Sequence, residues 1–329
     1  MNTPRLFVGP MSKKIVDNVL EYSKLRKTSL GLIPSRRQVE SDGGYVNNWQ
    51  TKQFCDYVRA EYSDVLLVRD HGGPMQGEMP DDGMKSIFCD IKNNFNILHI
   101  DPWKTAVNVD DGINKTKKIL EKICLADENI NFEIGTEASI FSYTPTDLNK
   151  IITEVHNFLG SSFNRVKYAV VQSGVEIEGT KNIGVFNPSR LKEMINIIHD
   201  FSLLSKEHNG DYLTKEEITE RARLGLDSIN IAPEFGVMQT RLFLDSVFNE
   251  QDFELAYQIC EKSKKYLKWV SKATQKNPAS NKKLIIEVCG HYNFSKEPFS
   301  TKTHMIEELF KASLFSRFDE IMSAWDEFS

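Results

Sequence analysis

The stretch V-L-L-V-R-D-H-G-G-P, residues 65–74, decides the fold class of this 329-residue chain. Four apolar residues and an arginine are followed by an acid, an imidazole, two glycines and a proline. A short apolar run bounded by glycine and proline is typical of a buried strand that opens into a turn. The stretch therefore predicts a strand with Asp70 and His71 at its carboxyl end, where α/β barrels carry their functional residues.

The same pattern recurs along the chain. Further apolar runs end in polar residues: ILHIDPW in Asp101, NFEIGTE in Glu137, YAVVQSGVE in Gln172 and Glu176, FSLLSKEHNGDY in His208 and Asp211, and SINIAPE in Asn230 and Glu234. Helix-like stretches separate these runs, so that eight strand–helix units follow one another. Consecutive right-handed βαβ units either close into a barrel or wind an open sheet.

The number of units favours the closed form. A doubly wound sheet normally has fewer strands, and no GxGxxG motif follows the first strand. The sequence therefore predicts an α/β fold, a (β/α)8 TIM barrel over residues 1–249. Residues 250–329 are helix-like and lysine-rich at their start, and we interpret them as a helical C-terminal extension packed on the barrel. The lysine-rich part, residues 262–283, is interpreted as a solvated helix face, with a partner surface as the alternative.

Composition excludes several classes of protein. The net charge is −5 and the pI is about 5.9, which gives no electrostatic footprint for nucleic acid. The five cysteines are scattered and never form a CxxC pair, a usage typical of a reducing compartment. The amino terminus has no apolar signal core, and no window approaches the roughly 20 apolar residues of a membrane span. We therefore expect a cytoplasmic protein with no membrane partner.

Two of the seven histidines are candidate metal ligands. His71 and His208 each follow a predicted strand directly, and the carboxyl ends of the third and seventh strands share one rim of a barrel. Two imidazoles beside carboxylates suit a divalent ion, Zn²⁺ first, with Mn²⁺ or Co²⁺ as alternatives. His99 lies inside a strand and is interpreted as structural, although it shares a face with Asp101.

Seven motifs in one order resemble the class II tagatose-bisphosphate aldolase family, and within it the larger, Z-type subunit. They span roughly residues 6–245, and CGHYNFS at 289–295 loosely resembles that subunit's carboxyl-terminal segment. The motifs are GGY at 43–45 with the run 49–58, RDHGGP at 69–74, LHIDP at 98–102, IGTEAS at 134–139, VVQSGVE at 170–176, EHNGDYLT at 207–214 and INIAPEF at 229–235.

The resemblance implies a fold and a chemistry. Class II aldolases use a divalent metal to form or cleave a carbon–carbon bond beside a ketone, through an enediolate. The resemblance makes His71 and His208 metal ligands, Asp70 a proton donor and Glu137 the acid after the fifth strand, with Glu133 as a residue that could assist it. We expect Asp211 to join Asp70 and Glu137 in proton transfer or in orienting the ligands. Candidate substrate-binding residues lie on the same rim: Asp101, Arg36, Arg69, Asn230, Asn209 and Gly210.

Two departures from the family pattern qualify these roles. Catalytic class II aldolases take a third histidine ligand from the sixth strand, where this chain has VVQSGVEIEG, so Gln172 or Glu176 would complete the metal shell. The phosphate-binding Asn-x-x-Thr loop is replaced by residues 230–233, which end in proline and lack the hydroxyl. A bisphosphate substrate is thus put in doubt, and Arg37 and Lys104 join the arginines above as alternative sites for phosphate or carboxylate.

Three functions follow from these observations. The first is a metal-dependent lyase acting on a phosphorylated or carboxylated sugar, and we expect a homo-oligomer. The second is a non-catalytic subunit that stabilises a separate, smaller tagatose-bisphosphate aldolase subunit, which the missing third histidine favours. The third is a Schiff-base aldolase with Lys206 or Lys167 as nucleophile.

Overall fold

The computed structural model describes residues 3–62 and 64–326, so the ends of both predicted domain ranges and Ser63 lie outside the described residues. Eight parallel strands close into a barrel, and each pairs with its neighbours along the chain before the last strand returns to the first. The predicted (β/α)8 barrel is therefore confirmed. Its strands are β1 Leu6–Val8, β2 Gly31–Leu32, β3 Leu66–Gly72, β4 Ile97–Ile100, β5 Asn131–Ile134, β6 Val166–Val171, β9 Leu204–Glu207 and β10 Ser228–Ile231.

Helices surround the barrel because each presents one apolar stripe to it. In the fifth helix the buried residues recur at helical spacing, Leu148, Ile151, Ile152 and Val155, and a capping box at Thr144 starts the helix. The helices are α1 Lys13–Arg26, α2 Thr51–Glu61, α3 Met84–Lys92, α4 Val109–Ala126, α5 Pro145–Leu159, α6 Pro188–Asp200, α7 Lys215–Arg223 and α8 Pro233–Ser246, with short 3₁₀ helices at Trp103–Thr105 and Gly160–Arg165.

A small antiparallel hairpin and the C-terminal extension complete the chain. The hairpin consists of β7 Ile177–Glu178 and β8 Lys181–Asn182, between β6 and α6. The extension comprises α9 Glu250–Ser263, α10 Lys272–Lys276, α11 Lys282–Cys289, α12 Phe299–Lys302 and α13 Glu307–Ser323, with 3₁₀ helices at Lys265–Lys268, Pro278–Asn281, Gly290–Asn293 and Thr303–Met305. Among the described residues, no helix is long and apolar enough to span a bilayer.

The extension packs on the barrel through two apolar clusters. Helices α9 and α11 share a core with the end of α8, centred on Phe243, Cys260 and Ile286. Helix α13 instead joins the main core, since Phe310 and Phe318 are fully buried with the barrel's own apolar residues. Two contact areas of this kind fix the extension against the barrel, which determines what its connecting segments can reach.

Candidate active site

A bulge at the end of β3 brings two consecutive side chains into the same site. Successive side chains of a strand normally point to opposite faces. The β3–β4 register shifts between Arg69 and Gly72, and His71 adopts a left-handed backbone with φ of 48°. Such a conformation costs roughly 1–2 kcal/mol and is typical of functional positions. Because of it, Asp70 and His71 both face the barrel mouth.

The glycines of the HGG sequence permit this arrangement. A Cβ atom on Gly72 would lie 2.9 Å from the carbonyl oxygen of His99, and one on Gly73 would lie 2.4 Å from that of Asp101. Any side chain at these positions would push β3 away from β4. The glycines therefore serve the close approach of the two strands that carry three of the site residues.

Three imidazoles surround one carboxylate oxygen. Asp70 Oδ1 lies 3.5 Å from His71 Nε2, 3.8 Å from His99 Nδ1 and 3.6 Å from His208 Nδ1. It is buried and accepts no hydrogen bond in the described part of the chain. An orphaned buried oxygen of this kind is uncommon in a folded protein and indicates a functional position.

The two predicted metal ligands are each oriented by a buried carboxylate. His71 Nδ1 donates to Asp101 Oδ2 at 2.6 Å, and His208 Nε2 donates to Glu133 Oε1 at 2.6 Å. These bonds leave His71 Nε2 and His208 Nδ1 facing Asp70, where each nitrogen can offer a lone pair to a ligand once it carries no proton. Carboxylates that hold the far nitrogen of a histidine are typical of metal sites.

Behind His208, the network continues into the barrel interior. Glu133 Oε2 accepts a 2.5 Å hydrogen bond from Lys206 Nζ, which also lies over the rings of Phe7 and Tyr168 at 3.8 and 4.1 Å. Burial lowers the pKa of Lys206 even though Glu133 opposes the effect. Lys206 is fully buried beneath the histidine, and Lys167 is exposed and donates to the carbonyl oxygen of Asn164. Lys206 is therefore closed to a substrate, and Lys167, near the start of β6, lies at the end of the barrel opposite the mouth.

The charges of the site shift two pKa values strongly. Burial alone would raise the pKa of Asp70, but the neighbouring imidazoles of His71, His99 and His208 hold it well below its ordinary value. Burial would lower the pKa of His71, but Asp70, Asp101 and Glu137 raise it to about 10. The expected proton donor Asp70 is thus a carboxylate at neutral pH, and it can accept a proton.

The donor set fits a divalent ion. The group of His71, Glu137 and His208 places one potential ligand atom of each residue within 4.8 Å of the others, and the group of Asp70, His99 and His208 does the same. Nitrogen and carboxylate ligands in this proportion suit Zn²⁺, Mn²⁺ or Co²⁺. His71 Nε2 and Glu137 Oε2 are 3.9 Å apart, and Glu137 accepts hydrogen bonds from Asn209 and Ser139.

The structure does not bring Gln172 and Glu176 to this group, which corrects the expectation that either completes the metal shell. Gln172 Nε2 donates to the carbonyl oxygens of Thr136 and Phe141, both at 2.8 Å, and its Oε1 accepts from the backbone of Tyr143. The side-chain amide of Gln172 is thus hydrogen-bonded to the backbone of neighbouring loops. Glu176 is exposed at the start of the β7–β8 hairpin. The carboxylate oxygens that lie beside His71 and His208 belong to Asp70 and Glu137.

Arg36 and Arg69 are likewise placed away from a substrate. Arg69 is fully buried on the outer side of β3, where Asp90 of α3 accepts two hydrogen bonds from it. Arg36 is bound to Glu40 and Asp81 and joins the loops after β2 and β3. Both guanidinium groups are therefore used within the fold.

Asp101 was expected to bind substrate, and the structure places it where it orients His71. It is fully buried, and its oxygens accept hydrogen bonds from His71, Gln76, Thr136 and the backbone of Trp103. No oxygen of Asp101 faces the small cavity at the mouth.

A cavity of about 40 Å³ at the mouth collects the remaining predicted residues. Asp70, His71, Glu137, His208, Asn209, Asp211 and Asn230 line it. Gly210 does not line this cavity, and its N–H donates to the carbonyl oxygen of Asn230, which does. Burial and the charge of Glu234 raise the pKa of Asp211 to about 8.

Two residues of the site were not predicted as such. His99 was interpreted as structural, yet its Nδ1 faces Asp70 and accepts from the His71 backbone, while its Nε2 donates to the Gly135 carbonyl oxygen. Glu133, expected only to assist Glu137, lies inside β5 and holds His208. The alternation of strand side chains, which places His99 with Asp101 and Glu133 inside the barrel, was the available clue.

Comparisons with known proteins were made against families, curated proteins and solved structures. No protein-family model matches the chain. No curated protein matches its sequence either. Solved structures do match, and they share the barrel architecture described above.

A probable tagatose 6 phosphate kinase from Sinorhizobium meliloti 1021 is 18% identical, covers 99% of this chain and 88% of its own, and has a TM-score of 0.65. The fructuronate-tagaturonate epimerase UxaE from Cohnella laeviribosi is 12% identical over 98% of this chain and 81% of its own, with a TM-score of 0.69. The YdjI aldolase from Escherichia coli K12 is 13% identical over 91% and 90%, with a TM-score of 0.53. At these identities the likeness shows a shared fold.

Proposed function

We propose that this chain is a metal-dependent, class II aldolase-like carbon–carbon lyase that acts on a phosphorylated or carboxylated sugar. The observation that carries the proposal is the convergence of His71 Nε2 and His208 Nδ1 on the unpartnered Asp70 Oδ1. Solved structures with the same barrel include an aldolase and a sugar-acid epimerase, which is consistent with chemistry beside a sugar carbonyl.

His71 and His208, with an oxygen of Glu137 or Asp70, would hold the divalent ion. When bound, the ion supplies positive charge that polarises a carbonyl and favours loss of a proton from the adjacent carbon. Asp101 and Glu133 hold the far nitrogens of His71 and His208, so that the nitrogens facing Asp70 would bind the ion after His71 has lost its second ring proton. Asp70, ionised and buried at the mouth, accepts a proton from the substrate and returns it when the bond is remade.

The second candidate, a non-catalytic supporting subunit of a smaller aldolase, rested on the missing histidine of the sixth strand. The structure weakens its basis, because Asp70, His99 and Glu137 supply further donor atoms beside His71 and His208. The Schiff-base alternative loses support as well, since Lys206 is fully buried against Glu133. The lyase is therefore the function we propose.

Bound metal and proton exchange test the proposal together. We expect the full chain to hold about one divalent ion, and His71→Ala or His208→Ala to lose it, by elemental analysis. The matched control is His156→Ala, a histidine exposed on α5, which should keep the ion. Metal content that is the same in all four proteins would refute the assignment of the ligands.

Activity is measured as exchange of the α-proton of dihydroxyacetone phosphate with solvent, because that step needs no aldehyde partner. We expect metal-dependent exchange in the wild type and its loss in His208→Ala. A metal-loaded wild type without exchange on this ketose phosphate or on a ketohexuronate would favour the supporting-subunit alternative, which co-purification with a smaller aldolase would then support.

A further inference from the structure

A segment of the C-terminal extension crosses the barrel mouth. We call residues 265–269 the strap; it comprises the 3₁₀ helix Lys265–Lys268 and Trp269. At one end Lys265 Nζ binds both carboxylate oxygens of Glu78, in the loop after β3, at 3.2 Å. At the other end Gly179 of the β7–β8 hairpin, which follows β6, donates its N–H to the carbonyl oxygen of Trp269 at 2.5 Å.

These two anchors lie on different sides of the barrel. Strands β4 and β5 separate β3 from β6 on one side of the ring, and four strands separate them on the other. A third contact holds the strap from behind, since Trp269 Nε1 donates to Tyr292 Oη at 3.1 Å, and the Tyr292 ring packs on Tyr45. Lys268 lies between these anchors within the strap, and its Nζ lies 4.3 Å from the centre of the Trp269 ring.

Lys268 lies one 3₁₀ turn after Lys265, and the charges that act on it include carboxylates of the site. Burial and the positive charge of Arg37 lower the pKa of Lys268, whereas Glu137, Asp70 and Asp211 oppose that shift. Those three carboxylates line the small cavity at the mouth. The side chain nevertheless keeps solvent-accessible surface, which leaves its donors open to a ligand.

Two more cations share this position. Burial, Arg37 and Lys268 lower the pKa of Lys104, which follows β4, so the three positive charges repel one another. In the part of the chain that the structure describes, none of the three forms an ion pair. Lys104 Nζ donates to the Met75 carbonyl oxygen at 2.7 Å, and Arg37 lines a cavity of about 350 Å³ beside the mouth. Lys104 and Arg37 both contact the loop after β3 that anchors the strap, since Arg37 Nε donates to the Gly77 carbonyl oxygen at 3.5 Å. Cations gathered at one loop without ion-pair partners are typical of a site for an anionic group.

We propose that Lys268 of the strap, with Arg37 and Lys104, binds the anionic group of the substrate, a phosphate or a carboxylate, so that the C-terminal extension completes the substrate site. This inference rests on the proposed function and names a determinant of its specificity. It also assigns the anion to positions different from the arginines expected from the sequence, Arg36 and Arg69, whose side chains are already paired.

The test is a calorimetric titration of the full, metal-loaded chain at low ionic strength. The probes are dihydroxyacetone phosphate, a ketohexuronate and uncharged dihydroxyacetone. We expect Lys268→Ala to weaken binding of the preferred anionic probe about tenfold and to leave dihydroxyacetone unchanged, because only the charged group contacts the lysine. Lys268→Arg should recover part of the affinity. The tighter of the two anionic probes identifies the group as phosphate or carboxylate.

The control is Lys272→Ala, a lysine four residues further along the extension that is exposed and should change nothing. Equal anion affinity in Lys268→Ala and wild type would overturn the inference, and so would a wild type that binds neither anionic probe more tightly than dihydroxyacetone. Metal content separates the two proposals: a chain without metal whose binding of inorganic phosphate still depends on Lys268 retains the anion site and loses the lyase assignment.

Discussion

Two of the fully buried ion pairs that involve strands of this barrel differ in what their other hydrogen-bonding groups contact. Arg69 on β3 donates to both oxygens of Asp90 and to the carbonyl oxygens of Pro34 and Val39. Lys206 on β9 donates to Glu133, and Glu133 also accepts a hydrogen bond from His208. The other ring nitrogen of His208 faces an oxygen of Asp70 that has no hydrogen-bond partner among the described residues.

The difference separates structure from function. A buried polar network whose groups are all satisfied stabilises one conformation, whereas one that ends in open donor atoms keeps them available for a ligand. The Arg69–Asp90 pair is closed and lies between strand and helix, on the outer side of the barrel. The Lys206–Glu133–His208 chain is open at the mouth. We therefore expect the first to control stability and the second to control metal binding.

The largest effect is expected when the closed pair is broken. Arg69→Met leaves Asp90 buried without its cation and should lower the free energy of unfolding by about 3–5 kcal/mol in chemical denaturation. Metal affinity of the folded protein should stay unchanged. The double variant Arg69→Met/Asp90→Leu removes both charges and should regain most of the stability. A single variant that is stable but binds metal poorly would contradict the distinction.

A variant that breaks the open network should lose metal affinity more than stability. Glu133→Gln removes the carboxylate that orients His208 and should weaken metal binding about 10–100-fold, or roughly 1.4–2.7 kcal/mol. Lys206→Met keeps the bond between Glu133 and His208, so it serves as the matched variant. Its metal affinity should fall by less than that of Glu133→Gln. Metal titrations of both variants test this expectation. Equal losses of metal affinity would mean that the charge balance of the network, and not the carboxylate of Glu133 itself, controls metal binding.

The third effect depends on pH and concerns Asp211, a buried carboxyl that has backbone donors and, among the described residues, no ion-pair partner. Its oxygen accepts from the N–H groups of Ala232 and Glu234, and its pKa is raised to about 8 by burial and Glu234. A raised pKa means that stability is full below the unfolded value near 4 and is lost as pH rises through about 8. Asp211→Asn keeps the acceptor and loses the charge.

We expect the variant to gain on wild type by up to about 1.4 kcal/mol per pH unit between those values, measured as unfolding free energy at pH 5, 6 and 7. Asp200→Asn, at the exposed end of α6, is the control and should show no such trend. A difference between Asp211→Asn and wild type that does not depend on pH would show that Asp211 is ionised throughout the range.

Much of the fold could be predicted from the sequence because its signals are local. Short apolar runs, helical spacing of buried residues and turn residues between them recur eight times, and parallel strands joined in this way close into a barrel. The same pattern placed Asp70, His71 and His208 at strand ends, and the structure places Asp70 Oδ1 within 4 Å of a ring nitrogen of each histidine. The boundary at residue 249 remains a prediction.

Only the tertiary structure decided which neighbouring polar residues serve the site. Arg69 and Asp70 are adjacent in sequence. The alternation of side chains along β3 and the bulge at its end direct Arg69 outward to Asp90 and Asp70 to the mouth. Gln172 follows its strand as predicted, but the loops around it consume its amide. Lys268 reaches the mouth through packing between segments far apart in the chain, and local periodicity carries no information about such contacts.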